Sequence, residues 1–103
     1  MTQEYLFALL KTTDLPVTYA EWPQGMVPKL PYIVFLQDGD ERFLADDFVY
    51  DSTPTYSIEI YSNKKDNVTE NLLKNILNEN KVIWEKDYEG RTPEGLYQAV
   101  YSI

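Results

Sequence analysis

Carboxylates are the only abundant side chains here that could do chemistry: 17 Asp and Glu stand against nine Lys and Arg, with no histidine and no cysteine. With no His, no Cys and no G-x-S-x-G turn, the usual general bases and nucleophiles lack support, which leaves paired acids. Two groupings are close enough in sequence to consider, Asp38-Gly39-Asp40-Glu41 and Asp46-Asp47 with Asp51. The first lacks the alternating ligands and closing Glu of a calcium loop, and its residue types suit a hairpin turn better. The second could bind a divalent ion or cleave a glycoside only if its acids converged in an enclosed cleft. Solvated loop carboxylates are the simpler reading, because a polar loop seldom supplies the burial that perturbs an acid. No enzymatic activity, metal or cofactor is therefore expected.

Asn63-Lys64-Lys65-Asp66 is the most basic stretch. Two adjacent lysines make no phosphate track without a glycine-rich loop, so the segment reads as a polar connection whose Asp66 or Asn67 caps a helix. Asn67-Val68-Thr69 matches the glycosylation sequon, which matters only along a secretory route. A formal charge of −8 with scattered cations speaks against tight or sequence-specific binding to nucleic acid. Residues 1–15 show no basic leader followed by a small-residue cleavage site, and no apolar run reaches the roughly 20 residues that span a bilayer. Neither signal-peptide secretion nor membrane insertion is expected, and the lack of cysteine fits synthesis in a reducing cytoplasm.

The elements that must position any site follow from periodicity. Leu6, Leu9 and Leu10 share a stripe of a first helix that begins near Thr2 and stops at Asp14-Leu15-Pro16. Val17–Trp22 reads as a short strand, and three prolines with Gly25 make Pro23–Pro31 a surface loop. Tyr32–Leu36 is apolar on both faces, as an inner strand requires. Residues 40–54 carry no clear pattern. Thr55–Tyr61 alternates, placing Tyr56, Ile58 and Ile60 on a core face and Thr55, Ser57 and Glu59 outward. Asn67 with Glu70 resembles a capping box opening a second helix along Val68, Leu72, Leu73, Ile76 and Leu77, with Asn80 as a left-handed stop. Val82–Tyr88 and Leu96–Ile103 then form two strands around a Gly/Pro-containing loop. One domain over residues 1–103 is expected, of the α+β class: a mostly antiparallel sheet of about four to five strands with two helices packed on one face.

Nine Tyr, four Phe and two Trp exceed what one small core absorbs with every hydroxyl satisfied, so some aromatics should face partners. Phe43, Phe48, Tyr50, Tyr88, Tyr97 and Tyr101 lie in or beside segments too short to bury both faces, with Asp46 and Asp47 among them. Tyr97 and Tyr101 share a strand face with Ala99 and could equally be core, since a period of two does not tell a helix-covered face from a partner-covered one.

Three stretches carry a family resemblance: Pro31-Tyr32-Ile33-Val34-Phe35, Ala45-Asp46-Asp47-Phe48-Val49-Tyr50, and Ile58-Glu59-Ile60-Tyr61-Ser62-Asn63-Lys64-Lys65-Asp66. In order and spacing they resemble small tail-completion or head–tail joining proteins of long-tailed bacteriophages and prophages of Gram-positive hosts. The likeness continues through Trp84-Glu85-Lys86 and Leu96-Tyr97-Gln98-Ala99-Val100-Tyr101, and Tyr-Ser-x-x-Lys-Asp before a helix is its most distinctive piece. It matches least at Pro23–Leu30 and Gly90–Gly95, which leaves open whether tail completion, tail termination or head closure is the niche. The resemblance implies a non-enzymatic subunit made in the host cytoplasm, forming a hexameric ring at the virion neck or tail and touching other neck and tail proteins. The interface candidates for that role are Phe43, Asp46, Asp47, Phe48, Tyr50, Tyr97 and Tyr101. An acidic inner surface would let DNA pass without adhering. The alternative of a different class is an adaptor outside any virion, binding one protein through Phe48, Tyr50 and the neighbouring acids.

Overall fold

The structure is a computed structural model that describes all residues except 46 and 47, and side chains outside residues 41–52. Helix α1 (Gln3–Lys11) starts where the Thr2 hydroxyl accepts from the Tyr5 amide, and it buries Leu6, Leu9 and Leu10. Thr12 and Thr13 hydroxyls donate to the Leu9 and Leu10 carbonyls at its end, and Asp14 turns the chain with φ 63°. Strand β1 (Val17–Tyr19) is shorter than expected because Ala20 takes φ 67°, which ends the extended run before Trp22. Strands β2 (Tyr32–Ala45) and β3 (Phe48–Ser62) follow, then α2 (Asn67–Glu79), β4 (Glu85–Arg91) and β5 (Tyr97–Ser102).

The five strands form one sheet in the order β1-β2-β3-β5-β4. Every pairing is antiparallel except β1 with β2, which is parallel. Both helices pack on the face carrying Ile33, Phe35, Tyr56, Ile58, Ile60, Ala99 and Tyr101, and these side chains with Leu6, Leu10, Leu73 and Leu77 make up the core. The fold is α+β, as its residue pattern indicates. No helix among the described residues is long and apolar enough to cross a membrane.

Several local expectations are corrected. Asp38-Gly39-Asp40 is not a turn: it lies inside β2, where a bulge between Gln37 and Gly39 absorbs the irregularity. The capping box does not form: of the two caps expected for α2, Asp66 takes the position, its carboxylate accepting from the Thr69 amide and hydroxyl, while Glu70 is drawn to lysines. At the far end Asn80 has φ −98°, and the left-handed position falls to Lys81 at φ 58°. β4 begins at Glu85, later than expected, because Lys81 redirects the chain and the Val82 amide is held by the Leu77 carbonyl. Its link to β5 turns at Gly95, whose φ of 87° suits glycine.

Candidate interaction surface

The stretch around residues 40–54, unreadable as a pattern, becomes the most conspicuous part of the fold. β2 pairs with β3 from Tyr32↔Tyr61 out to Ala45↔Phe48, yet β5 covers β3 only at Ser57–Ser102 through Ser62–Tyr97, and β1 covers β2 only at residues 33–35. Beyond those limits the two strands pair with each other alone, as a ribbon of about 30 Å at the usual rise per residue. The molecule accordingly measures 49 × 29 × 24 Å, and its radius of gyration of 14.9 Å exceeds the about 13 Å of a compact chain this long.

The ribbon's root is fixed by side chains. Asp38 on β2 accepts from the hydroxyls of Thr55 (2.7 Å) and Ser57 (2.6 Å) on β3. Those bonds, Ser57's first, hold its carboxyl below the usual range. The Tyr56 and Ile103 backbones exchange two hydrogen bonds, which is the last tie to the sheet. Past that point, no third strand lies against either edge among the described residues, so rows of backbone donors and acceptors remain open to pairing.

Beside the root lies a mostly apolar pocket of about 460 Å³, walled by Met1 and Tyr5 of α1, Pro54 and Tyr56 of β3, Ile83 and Ile103. Ile83 is 90% exposed, and Met1 and Tyr5 also stand open. Ribbon edge and pocket rim thus form one continuous uncovered surface.

Of the residues singled out by sequence, Phe43, Phe48 and Tyr50 sit on the ribbon strands, with side chains outside the described residues. Asp46 and Asp47 lie outside them altogether, and so does the side chain of Asp51. Among the described residues no group of three or more Asp, Glu, His or Cys is arranged to hold a metal ion. Tyr88 is half exposed on β4. Tyr101 is corrected: it is wholly enclosed beneath α2, its hydroxyl donates to Glu70, and Trp84 packs edge-on against its ring at 5.7 Å. It belongs to the core, not to a partner surface. Tyr97 is half-buried and gives its hydroxyl to Glu89.

No spacing or motif marks the charge square these tyrosines meet. Lys65 Nζ reaches Glu70 at 2.8 Å and Glu89 at 2.7 Å, while Lys86 Nζ reaches the same two carboxylates at 2.6 and 2.8 Å. Burial alone would raise the Glu70 carboxyl, but hydrogen bonds from Lys65, Lys86 and Tyr101 outweigh it and hold it low. Glu89 is brought down to about 2 by Lys65, Lys86 and Tyr97. Lys65 is raised by its hydrogen bonds to the two carboxylates, Glu70 first and then Glu89. Two cations and two anions, each satisfied by the others, leave no group free to act on a substrate, so the square works as a brace joining α2 to β4 and β5.

No protein-family model matches the sequence, and no curated protein matches it. Fold and surface define a class: an α+β domain with a two-layer body and a projecting two-stranded ribbon.

Proposed function

We propose that the chain is a non-enzymatic structural subunit of a long-tailed phage or prophage, acting in tail completion or head–tail joining as a member of a hexameric ring. The observation that carries this reading is the ribbon. A two-stranded ribbon standing off a body is marginal in water by itself, so its cover is expected from another chain. Pairing one subunit's ribbon with the body of the next uses two different patches, and such head-to-tail contacts close into rings when the rotation permits. The apolar pocket at the root supplies a site such a neighbour can bury, centred on Ile83. The resemblance to tail-completion proteins adds the location and the neighbours, namely the chain itself and other neck or tail proteins.

The contact is tested at Ile83. Because its side chain is almost fully exposed, Ile83→Asp should change the unfolding free energy by no more than about 0.5 kcal/mol. Chemical cross-linking at high protein concentration should give a ladder ending in a closed ring for the parent and monomer for the variant. An unchanged ladder from a normally folded Ile83→Asp chain would remove the pocket from the interface.

A further inference from the structure

The sheet face opposite the helices carries a second surface, remote from the ribbon. Strand alternation turns Tyr32, Glu59, Tyr61 and Gln98 away from the core residues Ile33, Ile58, Ile60 and Ala99. The segment after β1 folds back across this face, so that Trp22 meets Tyr32 edge-on at 5.6 Å, and Tyr32 packs on Tyr61 at 5.3 Å. The β4–β5 connection closes the other side with Glu94. The resulting groove encloses about 520 Å³.

Its chemistry is one-sided. Two partly open aromatic rings, Trp22 and Tyr61, backed by the buried Tyr32 between them, are set among three carboxylates, Glu21, Glu59 and Glu94, and no lysine or arginine lines the groove among the described residues. Glu94 is near enough to Tyr32 to help burial raise its hydroxyl's pKa. Glu59 is half-buried and accepts from the Tyr61 hydroxyl at 2.8 Å, while Gln98 donates to that hydroxyl at 2.9 Å, so the tyrosine is locked in place. The Trp22 indole nitrogen is shut off from water and finds no acceptor among the described residues.

We infer that this groove binds an arginine side chain presented on an extended segment of a partner protein. Ring faces attract a cation, and a guanidinium stacks on them while its fork of donors serves carboxylates at the edge. A lysine ammonium is more strongly hydrated and less suited to a flat aromatic floor. The groove does not depend on the ring reading: an adaptor could use it equally.

The test is an NMR titration of the full chain with N-acetyl-arginine-N-methylamide, following the indole N–H resonances, which Trp84→Phe assigns. The Trp22 resonance should move saturably with a dissociation constant on the order of millimolar, as one residue can supply. The citrulline analogue, matched in shape and uncharged, and the lysine analogue should each bind roughly three- to tenfold more weakly. Glu59→Gln/Glu94→Gln should weaken the arginine probe by a similar factor, with the circular dichroism spectrum unchanged. A Trp22 resonance unmoved up to about 50 mM probe, or equal binding of the citrulline or lysine analogue, would overturn the assignment.

Discussion

Glu70→Ala is expected to lower the unfolding free energy by about 2–4 kcal/mol, a large part of the 5–15 kcal/mol typical of a domain. The Glu70 side chain is 3% exposed and receives Lys65, Lys86 and the buried Tyr101 hydroxyl. Its loss leaves the tyrosine donor without an acceptor, at about 1–3 kcal/mol, and empties volume beside the core. The figure stays below that of a fully enclosed pair because Lys65 and Lys86 remain 39% and 24% exposed and can turn to water. Urea unfolding measures the loss. Adding Tyr101→Phe to Glu70→Leu should restore part of it, because both polar partners then go together. A double-mutant coupling near zero would show that the buried hydroxyl does not depend on Glu70.

The same square sets a pH dependence. Glu70 and Glu89 titrate lower in the folded chain, so their contribution is fully present above the unfolded carboxylate pKa of about 4.3 and fades as pH falls below it. Lys65 titrates higher when folded, so its contribution holds below about 10.4 and fades as pH rises beyond it. The melting temperature should therefore be level between these limits, and Glu70→Gln should flatten the acid-side decline.

Shortening the ribbon should separate folding from assembly more completely than any point substitution. Glu41 and Thr53 are paired across β2 and β3, so residues 42–52 can be replaced by Asn-Gly, a two-residue connection whose twist suits a hairpin. The variant should keep its unfolding free energy within about 1 kcal/mol, since every residue of the described core stays in place, while failing to form the cross-linked ring or to join heads to tails. Phe48→Ala and Tyr50→Ala test whether side chains or the backbone edge carry the contact. A shortened chain that still assembles would show that the ring closes elsewhere.

The core was legible because its cause is local. Leu6, Leu9 and Leu10 recur at helical spacing, and Tyr56, Ile58 and Ile60 at strand spacing, and all are buried where that spacing places them. The ribbon was not legible, because residues 40–54 carry no clear alternation, and Asp38-Gly39-Asp40 has turn residues but strand geometry. The charge square joins Lys65 of the β3–α2 connection, Glu70 of α2, and Lys86 and Glu89 of β4, and only tertiary pairing brings them within 3 Å. The groove stayed hidden for a similar reason. Trp22 reads as the end of a strand that in fact stops at Tyr19, and its contact with Tyr32 depends on how the segment after β1 returns over the sheet. The surplus of tyrosines was the one signal pointing there, and it named the residue type without the positions.

The central claim, a ring subunit of a phage particle, is tested most directly by quantitative mass spectrometry of purified particles induced from the strain that carries this reading frame. The claim predicts peptides of this chain at about six copies per particle, in the proportion that a single closed ring sets. Particles that contain the other neck and tail proteins but no peptide of this chain would contradict it.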